Sequence, residues 1–266
     1  MHSIRNALQK NSSRFGTQSE RGLVSTIVLS IGTSHPWNVA GVGRDIAVGG
    51  ALGARVFTAI AAVSAQDAGG VIALEAVPPE LFAAQLRVLP WQSAGAVRVG
   101  ALPTPAAVRA VAQAVRARPW LPCVIDPVLN ASRGGSLSGE GAYDALETEL
   151  AMLPSAVLTP NLAEAARLLR RSSIDRGDIS KAARDLRDRG ACAVLLTGGH
   201  LEGDPTDALA WPGGDETFSD SRIAGSMHGT GCTLAMALAC QLAKDEPLPA
   251  AVRAARAFVR GELARH

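Results

Sequence analysis

The chain has 266 residues, of which 47% are hydrophobic and only 4% aromatic, so it can fill a large core, and that core must be aliphatic. A formal charge of +2 sets up no field that would recruit nucleic acid or an anionic membrane. No apolar run reaches the roughly 18 residues of a membrane span, and Cys123, Cys192, Cys232 and Cys240 form neither a C-x-x-C pair nor a zinc-like grouping. That usage reads as free thiols in a reducing cytoplasm.

Residues 1–22 are polar, with Arg5, Lys10, Arg14 and Arg21 and no acid before Glu20. The composition is that of a transit peptide or a disordered tail, and the tail is the reading taken. Strand-like apolar runs follow at Leu23–Ile31, Arg55–Ala62, Ala96–Gly100, Cys123–Ile125, Ala156–Leu158 and Ala193–Leu196. They are continuous rather than alternating, which predicts strands covered on both faces. Between and after them lie helical patterns at Pro79–Leu89, Pro105–Arg118, Gly139–Leu153, Asn161–Arg170, Asp175–Arg189, Thr230–Ala243 and Pro249–Arg265. Strands alternating with helices predict an α/β fold in which a mainly parallel sheet carries helices on both faces. Residues 23–266 read as one domain.

Ligands of such sheets bind beyond the carboxyl ends of the strands. The clearest loop of that kind is Met227-His228-Gly229-Thr230-Gly231-Cys232-Thr233, which runs straight into the Ala-rich helix. Its glycines permit positive φ and close approach of the backbone to a ligand. The unpaired N–H groups of the helix start, backed by the helix dipole, then face an anion. Cys232 falls in the first turn, where a thiol pKa is expected to drop. At Thr159-Pro160-Asn161-Leu162-Ala163-Glu164, Asn161 and Glu164 have capping-box spacing, and the same glutamate is placed to hold Mg²⁺ through water. Asp126 ends a strand before Pro127.

With these motifs the chain resembles the hydroxymethylpyrimidine/phosphomethylpyrimidine kinases of thiamine biosynthesis, members of the ribokinase superfamily, from about Ile27 to about Val259. The resemblance implies a ribokinase-like three-layer sandwich, a homodimer, and ATP and Mg²⁺ as cofactors. In that family the H-G-T-G-C-T turn is the anion hole, so residues 229–232 stabilise the transferring phosphoryl group. Cys232 then deprotonates or positions the substrate hydroxymethyl. Asn161 and Glu164 match T-P-N-x-x-E. Asp126 and Val128 match D-P-V, with the aspartate near metal and nucleotide and the valine against the pyrimidine. Asp45 and Gln66 match the substrate side, where an amide suits an aminopyrimidine because it both donates and accepts. Gly100 falls where the family reads K-I-G-M-L. Thr197, Gly199 and His228 fall beside the nucleotide phosphates.

The departures cluster around ligands. The first loop, Gly32-Thr33-Ser34-His35-Pro36-Trp37-Asn38-Val39-Ala40-Gly41, is longer than the family's G-T-D-P-S-G-G-A-G and loses two glycines, while Ala101 stands at the usual methionine. Thr197 and Ser132 stand at two family lysines, and a third, upstream of the anion hole, is missing. Each lost charge-assisted donor is expected to cost about 1.5–3 kcal/mol of phosphate binding. Three readings follow: a kinase of 4-amino-5-hydroxymethyl-2-methylpyrimidine, alone or followed by its monophosphate; a pyridoxine or pyridoxal kinase; and a non-catalytic pyrimidine-binding homologue.

Overall fold

Strand β1 (Thr26–Ser34) carries Val28, Leu29 and Ile31 with no solvent exposure, as expected of a strand packed on both faces. The computed structural model describes residues 26–67, 69–128, 135–199, 203–225 and 227–265. The tail assigned to residues 1–22 and the departure at Ser132 lie outside the described residues.

In chain order the elements are β1, α1 (Gly41–Ala51), β2 (Ala54–Asp67), β3 (Gly70–Ala76), α2 (Pro79–Val88), β4 (Ala96–Val99), α3 (Pro105–Arg116), β5 (Cys123–Ile125) and α4 (Ala142–Ala145). Then come β6 (Ala156–Leu158), α5 (Leu162–Leu169), α6 (Ile179–Asp188), β7 (Ala193–Leu196), β8 (Thr206–Trp211), β9 (Gly214–Ser219), α7 (Thr230–Leu242) and α8 (Leu248–Leu263). The strands form one nine-stranded sheet in the order β3-β2-β1-β4-β5-β6-β7-β8-β9. It is parallel from β2 to β7 and antiparallel at both edges.

Successive residues on a strand serve opposite cores. Leu29, Cys123 and Ile125 pack with α2 to α6, whereas Val28 and Val124 pack with α1, α7 and α8, which makes three layers. Helix α3 shows the local logic. The Thr104 hydroxyl accepts from Ala107 N–H at 3.1 Å, a proline opens the helix, and Val108, Val111 and Val115 are buried on one stripe. The helix expected over Gly139–Leu153 is instead α4 followed by a π-helical turn at Leu146–Leu150, closed by Ala151 N–H donating to Leu146 O at 2.9 Å. Helix α1, rich in glycine, holds because it packs tightly: a Cβ on Gly49 would stand 2.3 Å from the Val56 side chain. No helix among the described residues is long and apolar enough to cross a membrane.

Two thiols in these cores, Cys123 and Cys240, are pushed up to about 12 by burial, from an ordinary value of 9.0. Their folded pKa lies above the unfolded one, so above pH 9 the unfolded chain loses protons that the native state keeps, and stability falls as pH rises. Each thiol contributes a slope of about 1.4 kcal/mol per pH unit. Urea unfolding at pH 8, 9 and 10 should therefore lose stability less steeply in Cys123→Ala, by about 0.7 kcal/mol per pH unit averaged over that range, since the full slope is reached only well above pH 9.

Candidate active site

The chain leaves β1 for β2 on one side and β4 lies on the other, so the sheet order reverses at β1. Such a switch point opens a crevice beyond the carboxyl ends of the strands. A cavity of about 760 Å³ sits there, lined from Thr33, Arg98, Asp126, Thr159 and Thr197 at the strand ends to Cys232 on α7.

At its floor lies a buried charge cluster. Arg98 on β4 is 1% exposed and reaches Asp45 with Nη1 at 3.2 Å and Asp126 with Nη2 at 2.8 Å. Asp45 also accepts from Ser30 Oγ at 2.6 Å. The Cys232 sulfur sits against the Arg98 guanidinium, the Asp126 carboxylate and the Gly41 N–H. Burial opposes the charge on Arg98, but Asp45, Cys232 and Asp126 outweigh it and the pKa is raised, so the guanidinium stays charged. Burial raises both carboxyls, against the pull of Arg98. Burial, with Asp126 and Asp45, also outweighs Arg98 at the thiol and pushes Cys232 up to about 11. The drop expected from the helix start is therefore reversed, because burial penalises the thiolate more than the helix start and Arg98 favour it, with Asp126 and Asp45 adding to the rise.

Two residues expected at the substrate do not line the cavity. Asp45 is wholly buried and spends its carboxylate on Ser30 and Arg98. Gly100 makes room for the arginine, since a Cβ there would stand 2.1 Å from Arg98 Nη1. Gln66 and Val128 do line it. The role of Arg98 was invisible in sequence because a strand arginine reads as a surface residue until its two carboxylates are brought together from α1 and the end of β5.

Two helix starts face the cavity, α1 at Gly41 and α7 at Thr230, and neither has a side-chain cap. At α1 the Gly41 N–H is turned to the Cys232 sulfur, whereas the first N–H groups of α7 are available to an anion. Gly229 takes φ 77°, and a Cβ there would lie 2.1 Å from Val39 O. Gly229→Ala should lower both thermal stability and turnover, the latter by about 5- to 30-fold for the ~1–2 kcal/mol strain typical of left-handed backbone. A Cβ on Gly231 meets nothing within 4 Å, so Gly231→Ala should keep the melting temperature. Thermal denaturation and turnover of the two variants check the contrast.

Toward the other end, Asn161 and Glu164 form both halves of a capping box, at 2.9 and 3.0 Å. Glu164 is 5% exposed and also lines the cavity, as do Gly199, His228 and Thr230. Thr197 is tied to the Pro160 carbonyl through N–H at 2.9 Å and Oγ1 at 3.3 Å. Three arginines unmarked by any motif, Arg222, Arg256 and Arg260, line this end. Arg256 pairs with Asp207 and Asp220, while Arg222 donates to the Gly199 and Gly203 carbonyls at 3.1 and 2.8 Å. No group of three or more metal-ligating side chains occurs among the described residues.

The sequence pattern of the family described as phosphomethylpyrimidine kinase matches residues 36–266. The chain belongs to the phosphomethylpyrimidine kinase family. It is 36% identical over 252 residues to a hydroxymethylpyrimidine/phosphomethylpyrimidine kinase of Rhizobium meliloti, covering 90% of this chain and 91% of that protein. The family fold recurs in the crystal structure of the phosphomethylpyrimidine kinase of Clostridium difficile, with a TM-score of 0.77 at 24% identity over 89% of this chain and 99% of that one. It recurs also in a pyridoxal kinase of Staphylococcus aureus in complex with pyridoxal, with a TM-score of 0.81 at 26% identity over 91% and 88%. The three-layer architecture expected of this family is the one observed.

Proposed function

We propose that the protein transfers the γ-phosphoryl group of ATP to the hydroxymethyl oxygen of 4-amino-5-hydroxymethyl-2-methylpyrimidine, a step of thiamine biosynthesis. The observation that carries the reading is the Cys232 thiol held between Arg98 and Asp126 at the mouth of two uncapped helix starts. The substrate hydroxyl rests on that sulfur. As the new O–P bond forms and the bond from the γ-phosphorus to the ADP oxygen breaks, the hydroxyl proton passes to sulfur and the thiol proton to Asp126. The N–H groups of residues 229–232 hold the charge that develops on the phosphoryl oxygens.

Glu164, a carboxylate lining the cavity, suits Mg²⁺, which would keep most of its waters and take one or two carboxylates beside the nucleotide phosphates; Asp126 is committed to Arg98 and to the thiol proton. When bound, the ion neutralises phosphate charge. Arg222 and Arg260 line the end where the family lysines are lost, which favours a working kinase over a binding homologue; Arg256 there is already paired with Asp207 and Asp220. The state that goes with this reading is a cytoplasmic homodimer, checked by sedimentation.

An ADP-release assay with Mg-ATP tests the proposal. Turnover is expected with the pyrimidine alcohol and at least about tenfold less with pyridoxal, the worth of one misplaced polar contact. Preferential turnover of pyridoxal would move the protein to the second reading. Thermal stabilisation by the pyrimidine without ADP release would make it a binding protein.

A further inference from the structure

Neighbouring residues of α1 serve different partners. Asp45 meets Arg98 beneath the cavity floor, whereas Arg44 joins three other segments. Its Nε donates to Thr233 Oγ1 on α7 at 2.9 Å. Its Nη2 donates to Glu262 Oε2 on α8 at 2.9 Å and to the Met227 sulfur, in the chain entering the anion-binding turn, at 3.4 Å. The Arg44 and Glu262 side chains are 16% and 18% exposed, so the pair is shielded, unlike the open surface ion pairs that contribute little. The other Glu262 oxygen takes Arg265.

Thr233 carries this contact into the turn. It is wholly buried, and its hydroxyl donates to the Gly229 carbonyl at 2.8 Å. A hydroxyl has one proton to give. With the guanidinium N–H on its oxygen, that proton is directed to Gly229, and the charged donor strengthens the bond passed on. The same carbonyl accepts from Thr233 N–H at 2.9 Å. The Gly229 carbonyl and the Thr230 N–H are the two ends of one planar peptide and point in opposite directions. Whatever fixes the carbonyl along α7 therefore aims the N–H out of the helix start. Thr230 is the first residue of α7 and lines the cavity, and an N–H at that position has no partner within the helix. Gly229 offers no side-chain cap, so this peptide is held from the Thr233 side.

We propose that Arg44 is a positioning residue for phosphoryl transfer: through the Thr233 hydroxyl it fixes the Gly229–Thr230 peptide and aims the Thr230 N–H at the charge developing on the transferring group. Arg44 is not among the residues lining the cavity and acts through this relay. Glu262, in the last turn of α8, anchors its far end, which ties the final helix to the anion-binding turn. The role rests on the kinase reading and adds to it the residue that keeps the phosphoryl site in register.

The test is ADP release with Mg-ATP and the pyrimidine alcohol, for the full chain, Arg44→Met, Thr233→Val and the variant carrying both changes, at a temperature where each is folded by thermal denaturation. Arg44→Met should lose about 10- to 100-fold in kcat, the cost of a misaimed group. The KM for the alcohol should hardly move, because the affected contact strengthens only in the transition state. Thr233→Val should show the same split, and the double variant should lose no more than the worse single, since both changes act on one peptide. Undiminished kcat in Arg44→Met, even with a lower melting temperature, overturns the role, as do losses that add in the double variant. Should Arg44→Met not fold, Thr233→Val decides: a fall in kcat at unchanged KM supports the relay, and full turnover overturns it. No ADP release by the unaltered chain, with the pyrimidine alcohol or with pyridoxal, overturns the kinase reading and this role with it.

Discussion

Replacing Cys232 by alanine is expected to lower turnover by about 10²- to 10⁴-fold, the usual worth of a group that moves a proton in the transition state. The melting temperature should hardly change, because the residue is only half buried and lines the cavity. The size of the effect follows from where the proton stands at rest. With the thiol pushed up to about 11, sulfur carries its proton at neutral pH and offers it to Asp126. It is then not a ready thiolate but a link between the substrate hydroxyl and a carboxyl that burial has already made more basic. Alanine removes the link. Serine keeps the hydrogen bond to Asp126 and should retain intermediate activity. ADP release under saturating substrates measures both variants, and full turnover by Cys232→Ala would remove the thiol from the mechanism.

Arg98→Met should destabilise the protein by about 3–5 kcal/mol, since taking one member out of a buried ion cluster leaves the others uncompensated. For a chain of this size that corresponds to a fall in melting temperature on the order of 10 °C. Asp45 is wholly buried, with one carboxylate oxygen already unpartnered, so removal of Arg98 leaves only Ser30 beside it. Adding Asp45→Asn to Arg98→Met should recover part of the loss, because one of the two stranded charges disappears. Arg98→Lys retains the charge but not the fork that spans Asp45 and Asp126, and should fall between. Thermal denaturation of the three variants decides it: no recovery in the double variant would mean that Asp45 and Arg98 are not energetically coupled.

Much of the fold is legible from local pattern. The buried parallel strands announce themselves as unbroken apolar runs, and three of them, Cys123–Ile125, Ala156–Leu158 and Ala193–Leu196, keep the expected bounds. The three antiparallel edge strands do not show. β9, Gly-Asp-Glu-Thr-Phe-Ser, buries only Phe218, and such a segment becomes a strand because a neighbour supplies hydrogen bonds. Helix α1 escapes for a related reason: its glycines weaken helix propensity and pay off only against β2 and α7.

By itself, then, the sequence determined a parallel α/β sheet and an anion-binding turn at His228–Cys232, because backbone conformation and helix starts are written in runs of a few residues. The tertiary structure decided which charges meet. Asp45 matches a substrate position in the pattern, yet it lies beneath the floor, paired with an arginine 53 positions away in the chain. Cys232 stands at a helix start, yet its thiol is raised, because the fold buries it and brings Asp126 and Asp45 to it from other elements. Electrostatics and unpaired donors depend on distances between segments remote in sequence, and only the folded chain sets those distances.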